Sequence, residues 1–115
     1  MGSFVISKRF SGDYKFEYTS RKGKPIFTSN AYELRMDCEA GAELLRSKFN
    51  VCSFLKYKTS KGNFYFKVVF DEVLIAVSRK YSTVLMAQKG IDEIVKYGSR
   101  AEILDFAATE VIFDD

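Results

Sequence analysis

One feature constrains this chain more than any other: it is written twice. "GDYKFEY", residues 12–18, lies over "GNFYFKV", residues 62–68, at a shift of 50. After one residue is lost in the second copy the shift becomes 49. "IFTSNAY", residues 26–32, then lies over "IAVSRKY", residues 75–81, Gly41 falls on Gly90 and Leu45 on Ile94. A repeat of that length means one supersecondary unit used twice, each half too small to bury a core alone.

The unit can be read from its periodicity. Tyr14, Phe16 and Tyr18 alternate with Lys15, Glu17 and Thr19, as in a strand with one face buried, and Phe64, Phe66, Val68 and Phe70 do the same. After a turn, short strands are expected over residues 26–28 and 73–77, each preceded one hairpin earlier by a strand, 4–8 and 54–58. The period then lengthens. Cys38, Ala42, Leu45 and Phe49 form one helical stripe, and Val84, Ala87, Ile91, Ile94 and Val95 the other. Thr83 reads as the N-cap of the second helix and Gly98 as its C-terminal stop. Leu34 cannot cap, so the first helix is expected to start later, with Asp37 as cap. A last strand is expected over 103–106.

The expected fold is therefore α+β: a tandem duplication of a β-β-β-α unit plus a final strand, with two helices packed on one face of a shared antiparallel sheet. Its 115 residues make one domain. Repeat one covers about 4–50, repeat two about 54–98, and the C-terminal strand and acidic tail about 101–115.

Two features recur at the joints. Ser29-x-x-Tyr32 and Ser78-x-x-Tyr81 stand where a strand hands over to a helix. A site rarely needs two copies in one small domain, but a joint does. The serine is expected to bond the backbone, and the tyrosine to bury its ring. Gly41 and Gly90 each cost a helix about 1 kcal/mol against Ala; the expected return is a close helix contact. Arg79 and Lys80 have Asn30 and Ala31 as counterparts, so their charge belongs to one copy only.

These motifs, Gly-x-Phe-Tyr-Phe at 62–66, the Ser-x-x-Tyr corner and "KGIDEIVKYG" at 89–98, occur in that order and in tandem. The chain so resembles the YegP-like family of small bacterial proteins, over nearly its whole length and most closely in its second copy. In the first copy "AGAELLRSKF" replaces the Gly-Ile-x-x-Val-Lys core of the helix motif. The resemblance implies two units sharing one antiparallel sheet, with terminal strands exchanged between them. The family is one of unknown function with no established catalytic residues or cofactor, so the resemblance adds almost no chemistry.

The chemistry available is restricted. The chain has no histidine, the commonest general base and metal ligand. Cys38 and Cys52 match neither a disulfide framework nor a zinc spacing, and no metal or other cofactor is expected. No apolar run approaches the roughly 20 residues of a membrane-spanning helix. No signal-peptide layout opens the sequence, so a cytoplasmic protein without a membrane partner, a monomer or weak homodimer, is expected. Charge is uneven: residues 1–100 hold 18 basic and 10 acidic residues, a net of +8, while five acids and no base follow Arg100.

Three functions fit. The first is a non-enzymatic accessory or binding module. The second is binding of a polyanion or nucleic acid through the sheet face away from the helices. Its candidate patch is Lys15, Lys56, Lys58, Tyr65, Lys67, Arg79 and Lys80, with Glu17 opposing and the acidic tail as an internal competitor. Leu55 and Tyr57 compete with Phe54 for the core, so the pattern leaves the face of Lys56 and Lys58 open. The third is a small-molecule enzyme, for which Tyr81 with Arg79 is the one local pairing to name.

Overall fold

The computed structural model describes residues 2–107. Its elements run β1 (Ser3–Lys8), β2 (Tyr14–Thr19), β3 (Pro25–Ser29), α1 (Arg35–Lys48), β4 (Ser53–Lys58), β5 (Phe64–Phe70), β6 (Val73–Ser78), α2 (Val84–Tyr97) and β7 (Glu102–Asp105), with a short 3-10 turn after each helix. The seven strands form one sheet in the order β4-β5-β6-β3-β2-β1-β7. The end of the acidic tail, with Glu110, Asp114 and Asp115, falls outside the described residues.

Cross-strand register fixes the two faces. Glu17 pairs with Thr28, Thr28 with Val77 and Val77 with Lys67, so these four side chains share one face. Phe16, Tyr18, Phe27, Ser29, Phe66, Val68, Ala76 and Ser78 take the other, and all are buried. Both helices lie there. A Cβ on Gly41 would stand 3.4 Å from the Phe16 ring, and one on Gly90 3.6 Å from the Phe66 ring. In the first half Phe4, Phe16, Tyr18, Phe27 and Phe49 form a fully enclosed aromatic cluster, with Phe4 stacked on Phe49 at 5.8 Å.

The halves meet at β3 and β6 in a self-complementary register: Phe27 opposite Ser78, Thr28 opposite Val77, Ser29 opposite Ala76. An offset of 49 in numbering turns Phe27–Ser78 into Ala76–Ser29 with its members exchanged and returns the central pair Thr28–Val77 to itself. Flanking hydrogen bonds obey the same rule, Asn30 N–H donating to Ile75 C=O and Arg79 N–H to Ile26 C=O. A local two-fold axis therefore passes between Thr28 and Val77.

The joints are built as the sequence suggests. Ser29 Oγ accepts from Phe16 N–H at 2.9 Å and donates to Asn30 C=O. Ser78 Oγ does the same for Phe66 N–H, at 2.8 Å, and Arg79 C=O. Tyr32 and Tyr81 bridge back to Tyr14 and Phe64 through paired backbone bonds. Their hydroxyls lie beneath the helix glycines: a Cβ on Gly41 would be 2.5 Å from Tyr32 Oη, one on Gly90 2.6 Å from Tyr81 Oη. Ser, Tyr and Gly thus make one device in each half.

Four expectations change. The sheet is mixed, because β7 runs parallel to β1. It arrives after a helix rather than a tight hairpin, and a helical crossover is what permits parallel pairing. Helix α1 starts at Arg35 behind an uncapping Leu34, with Asp37 inside the first turn, where a carboxylate still suits the helix dipole. Val84 and Val95 are 50% and 53% exposed, and Gly90 takes the place on the buried stripe between Ala87 and Ile91. Gly98 has φ −59°, an ordinary helical value, so it is no left-handed stop. It makes room for Phe49, whose ring carbon would lie 2.5 Å from a Cβ there. Thr83 does cap α2, its hydroxyl accepting from Met86 N–H at 3.2 Å.

Candidate functional site

The sheet face away from the helices differs between the halves. On the second half it carries Leu55 and Tyr57 from β4, paired with Lys67 and Tyr65 of β5, and Val77 from β6. The Thr59–Asn63 hairpin sets that register: Thr59 Oγ1 accepts from Asn63 N–H, and Gly62, φ 87°, supplies the left-handed residue. The Tyr57 and Tyr65 rings stack with centroids 5.4 Å apart and planes 19° apart. Lys67 Nζ stands 4.8 Å over the Tyr57 ring, where the negative π-face holds a cation. Beside this stack is an open groove of about 330 Å³ lined by Thr59, Tyr65, Lys67, Val77, Ser78 and Lys80. Neither lysine is in an ion pair among the described residues.

Counterpart positions on the first half hold Ser7, Lys15 and Glu17 in place of Tyr57, Tyr65 and Lys67. Lys15 Nζ meets Glu17 at 3.6 Å, and Thr28 Oγ1 donates to the same carboxylate at 3.3 Å. The row Glu17–Thr28–Val77–Lys67 is thus acidic at one end and basic at the other.

Of the residues expected in one patch, Tyr65, Lys67 and Lys80 come together. Lys15 shares their face but lies three strands from Lys67, about 14 Å, and is neutralised by Glu17. Lys56 and Lys58 are on the helix side, because Phe54 wins the contest for the core and alternation carries them with it. Lys56 Nζ donates to Gln88 Oε1 on α2, and Lys58 lies over the Phe64 ring. Arg79 turns to the Tyr81 ring, 5.1 Å from its centroid, on the helix side. Thr59 and Tyr57 belong to the site but were not singled out from sequence. Pairing Tyr57 with Tyr65 across the hairpin is the signal that finds Tyr57.

Elsewhere burial works against reactive groups. It pushes the Cys38 thiol up to about 11 and also raises Cys52, so neither is a ready thiolate at neutral pH. Burial raises Tyr81 too, against the opposing pull of Arg79, whose guanidinium lies over the Tyr81 ring. Tyr18 rises to about 12, again mainly by burial; its hydroxyl stands beside the Gly2 backbone without a hydrogen bond of ordinary geometry. Between α1 and the sheet, Tyr32, Gly41, Leu44, Leu45, Phe70 and Ile75 enclose about 50 Å³, room for little more than a water molecule or two.

No family model matches the chain. Over 107 residues it is 27% identical to the UPF0339 protein YegP of Yersinia pestis, spanning 91% of this chain and 96% of that one. Over 106 residues it is 27% identical to YegP of Escherichia coli K12, spanning 90% and 96%. Among solved structures, the solution NMR structure of a UPF0339 protein from Shewanella oneidensis aligns with TM-score 0.85 at 20% identity, over 99% of this chain and 98% of that one. That of YegP from E. coli, described as a protein of unknown function, aligns with TM-score 0.79 at 23% identity, over 95% and 96%. The structural likeness establishes the fold alone. The resemblance read from the motifs holds over most of the chain, and these relatives are uncharacterised, with no specific activity to pass on.

Proposed function

We propose that the chain is a non-enzymatic binding module, a single domain built by tandem duplication, whose working surface is the open sheet face of its second half. The two repeats, about 4–50 and 54–98, supply the same scaffold, and the second has the binding side chains. The ligand class is a polyanion that also carries flat rings, which single-stranded nucleic acid satisfies. The observation behind this reading is the stacked Tyr57–Tyr65 pair with Lys67 and Lys80 lining an open groove beside it. Lysines contact phosphate and lose affinity as salt rises. Tyrosine rings stack on bases without regard to sequence. On the first half Lys15 is held by Glu17 rather than left free, which favours the other end of the sheet for the ligand.

The test is a salt titration of binding to mixed-sequence single strands, read by fluorescence anisotropy. Lys67→Ala and Lys80→Ala are each expected to weaken binding and to flatten the log–log salt slope by roughly 0.7 per lost phosphate contact. Tyr65→Ala is expected to cost about 1–3 kcal/mol with little change in slope. Lys56→Ala, on the other face, is expected to leave both unchanged. If the intact chain binds no single strand at low ionic strength, the reading is wrong.

A further inference from the structure

The two ends of the sheet differ in one respect. On the first half, β1 does not end the sheet: β7 adds to its outer side in parallel, Phe4 beside Ile103, Val5 beside Leu104, Ile6 beside Asp105. On the second half β4 holds the position that β1 holds on the first, pairing outward from the central hairpin. Among the described residues nothing covers its outer edge. Leu55 and Tyr57 are exposed on that strand, 44% and 38%. The strand that fits a β1-type edge is therefore known from the protein itself. It carries an Ile toward the helices, an apolar residue toward the open face, and then an Asp on the helix side, where Asp105 accepts from Arg35 at 2.6 Å.

The same run recurs nine residues later. Ile103-Leu104-Asp105 is followed by Ile112-Phe113-Asp114, with a second acid, Asp115, behind it. Set on β4 in the β7 register, Ile112 would stand beside Phe54, Phe113 beside Leu55 and Asp114 beside Lys56. The charge at the last pair is complementary. Lysines on an edge strand discourage pairing with another lysine-bearing edge, but attract a strand that ends in aspartates. The chain's own segment cannot reach. From residue 107 to 112 the backbone spans at most about 18 Å, while β7 and β4 are six strand spacings apart, about 29 Å.

We infer that the open edge of β4 is a strand-addition site for residues 111–114 of a second copy of this chain, held in parallel by backbone pairing and an Asp114–Lys56 ion pair. This stands independently of the nucleic-acid reading, which uses the sheet face and not its edge.

Sedimentation velocity on the full chain, from micromolar to millimolar concentration at low salt, tests it. Concentration-dependent self-association is expected. Lys56→Glu and Asp114→Lys are each expected to loosen it by at least about tenfold, the scale of 1.4 kcal/mol, and the two together to restore it. Phe113→Ser is expected to weaken it with no effect on the thermal melt, which separates lost pairing from lost folding. A chain that stays monomeric throughout overturns the inference. So does association that both charge reversals leave unchanged, or that the double reversal fails to restore.

Discussion

At the scale of single residues, the chain accepts local cost where two elements must approach. Gly90 is the clearest case. An α-helix interior favours Ala over Gly by about 1 kcal/mol, yet any Cβ there would stand 2.6 Å from the Tyr81 hydroxyl and 3.2 Å from its ring carbon. Tyr81 cannot retreat, because its ring lies against Phe66 at 6.4 Å and its backbone is bonded both ways to Phe64. Gly90→Leu is therefore expected to destabilise by about 1–3 kcal/mol through overpacking, measured as a lowered urea midpoint with unchanged slope. The glycine pair was legible in the sequence as a close contact. What it contacts was not, because a sequence pattern gives the helix face but not the side chain beneath it. Gly98 shows the reverse failure. It stands where a helix stop belongs, but its role depends on Phe49, 49 residues away and in the other half.

At the scale of elements, the hairpins show how far turn chemistry is fixed locally. Gly12, Gly23 and Gly62 all take positive φ, as tight turns ask. The β5–β6 hairpin departs from this. Phe70 pairs with Val73, leaving Asp71 and Glu72 as a two-residue loop with φ 52° and 64°. Both signs match a type I′ turn, in which Asn-Gly or Asp-Gly is favoured. A left-handed conformation costs a residue with a side chain roughly 1–2 kcal/mol, of which glycine's greater freedom in the unfolded chain takes back about 0.5–1. Glu72→Gly is therefore expected to raise stability by about 0.5 kcal/mol, seen as a small upward shift in melting temperature. An unchanged or lowered melting temperature would mean that Glu72 has a compensating role. Strand β4 shows where pattern reading ran out. In "SFLKYK" the apolar residues occupy both faces, so alternation alone cannot orient it. Its antiparallel pairing with β5 can, and it places Lys56 and Lys58 behind the sheet.

At the scale of the whole molecule, the halves complete each other. β6 covers the edge of β3, β7 covers the edge of β1, and Phe49 of the first half packs on Gly98 of the second. Arg46 of α1 donates to Ala101 C=O at 3.1 Å, and Arg35 to Asp105, so α1 also holds the strand that closes its own side of the sheet. Without those partners a fragment of residues 1–52 bares two strand edges and part of an aromatic core. A chain that short buries too small a share of its surface to be stable alone. The fragment is expected to lack a cooperative thermal transition as a monomer, followed by circular dichroism at low concentration. A sharp melt with a monomeric mass would show that each half is self-sufficient.

The sequence alone determined what depends on near neighbours along the chain. Alternating aromatics made β2 and β5, a helical stripe of Cys38, Ala42 and Leu45 made α1, Thr83 capped α2, and the Ser-x-x-Tyr corners became joints. Each of these is set within a few residues by backbone geometry and burial of one face. The tertiary structure alone decided what depends on residues far apart in sequence. β7 is parallel because a helix delivers it to a distant strand, and Phe54 rather than Leu55 faces the core because β5 pulls β4 into register. Tyr57, Tyr65, Lys67 and Lys80 converge on one half of one face because pairing across β4, β5 and β6 brings them there, while Glu17 is left at the other end of the same row. Side-chain periodicity records which residues can be buried; only strand pairing settles which of the exposed ones become neighbours.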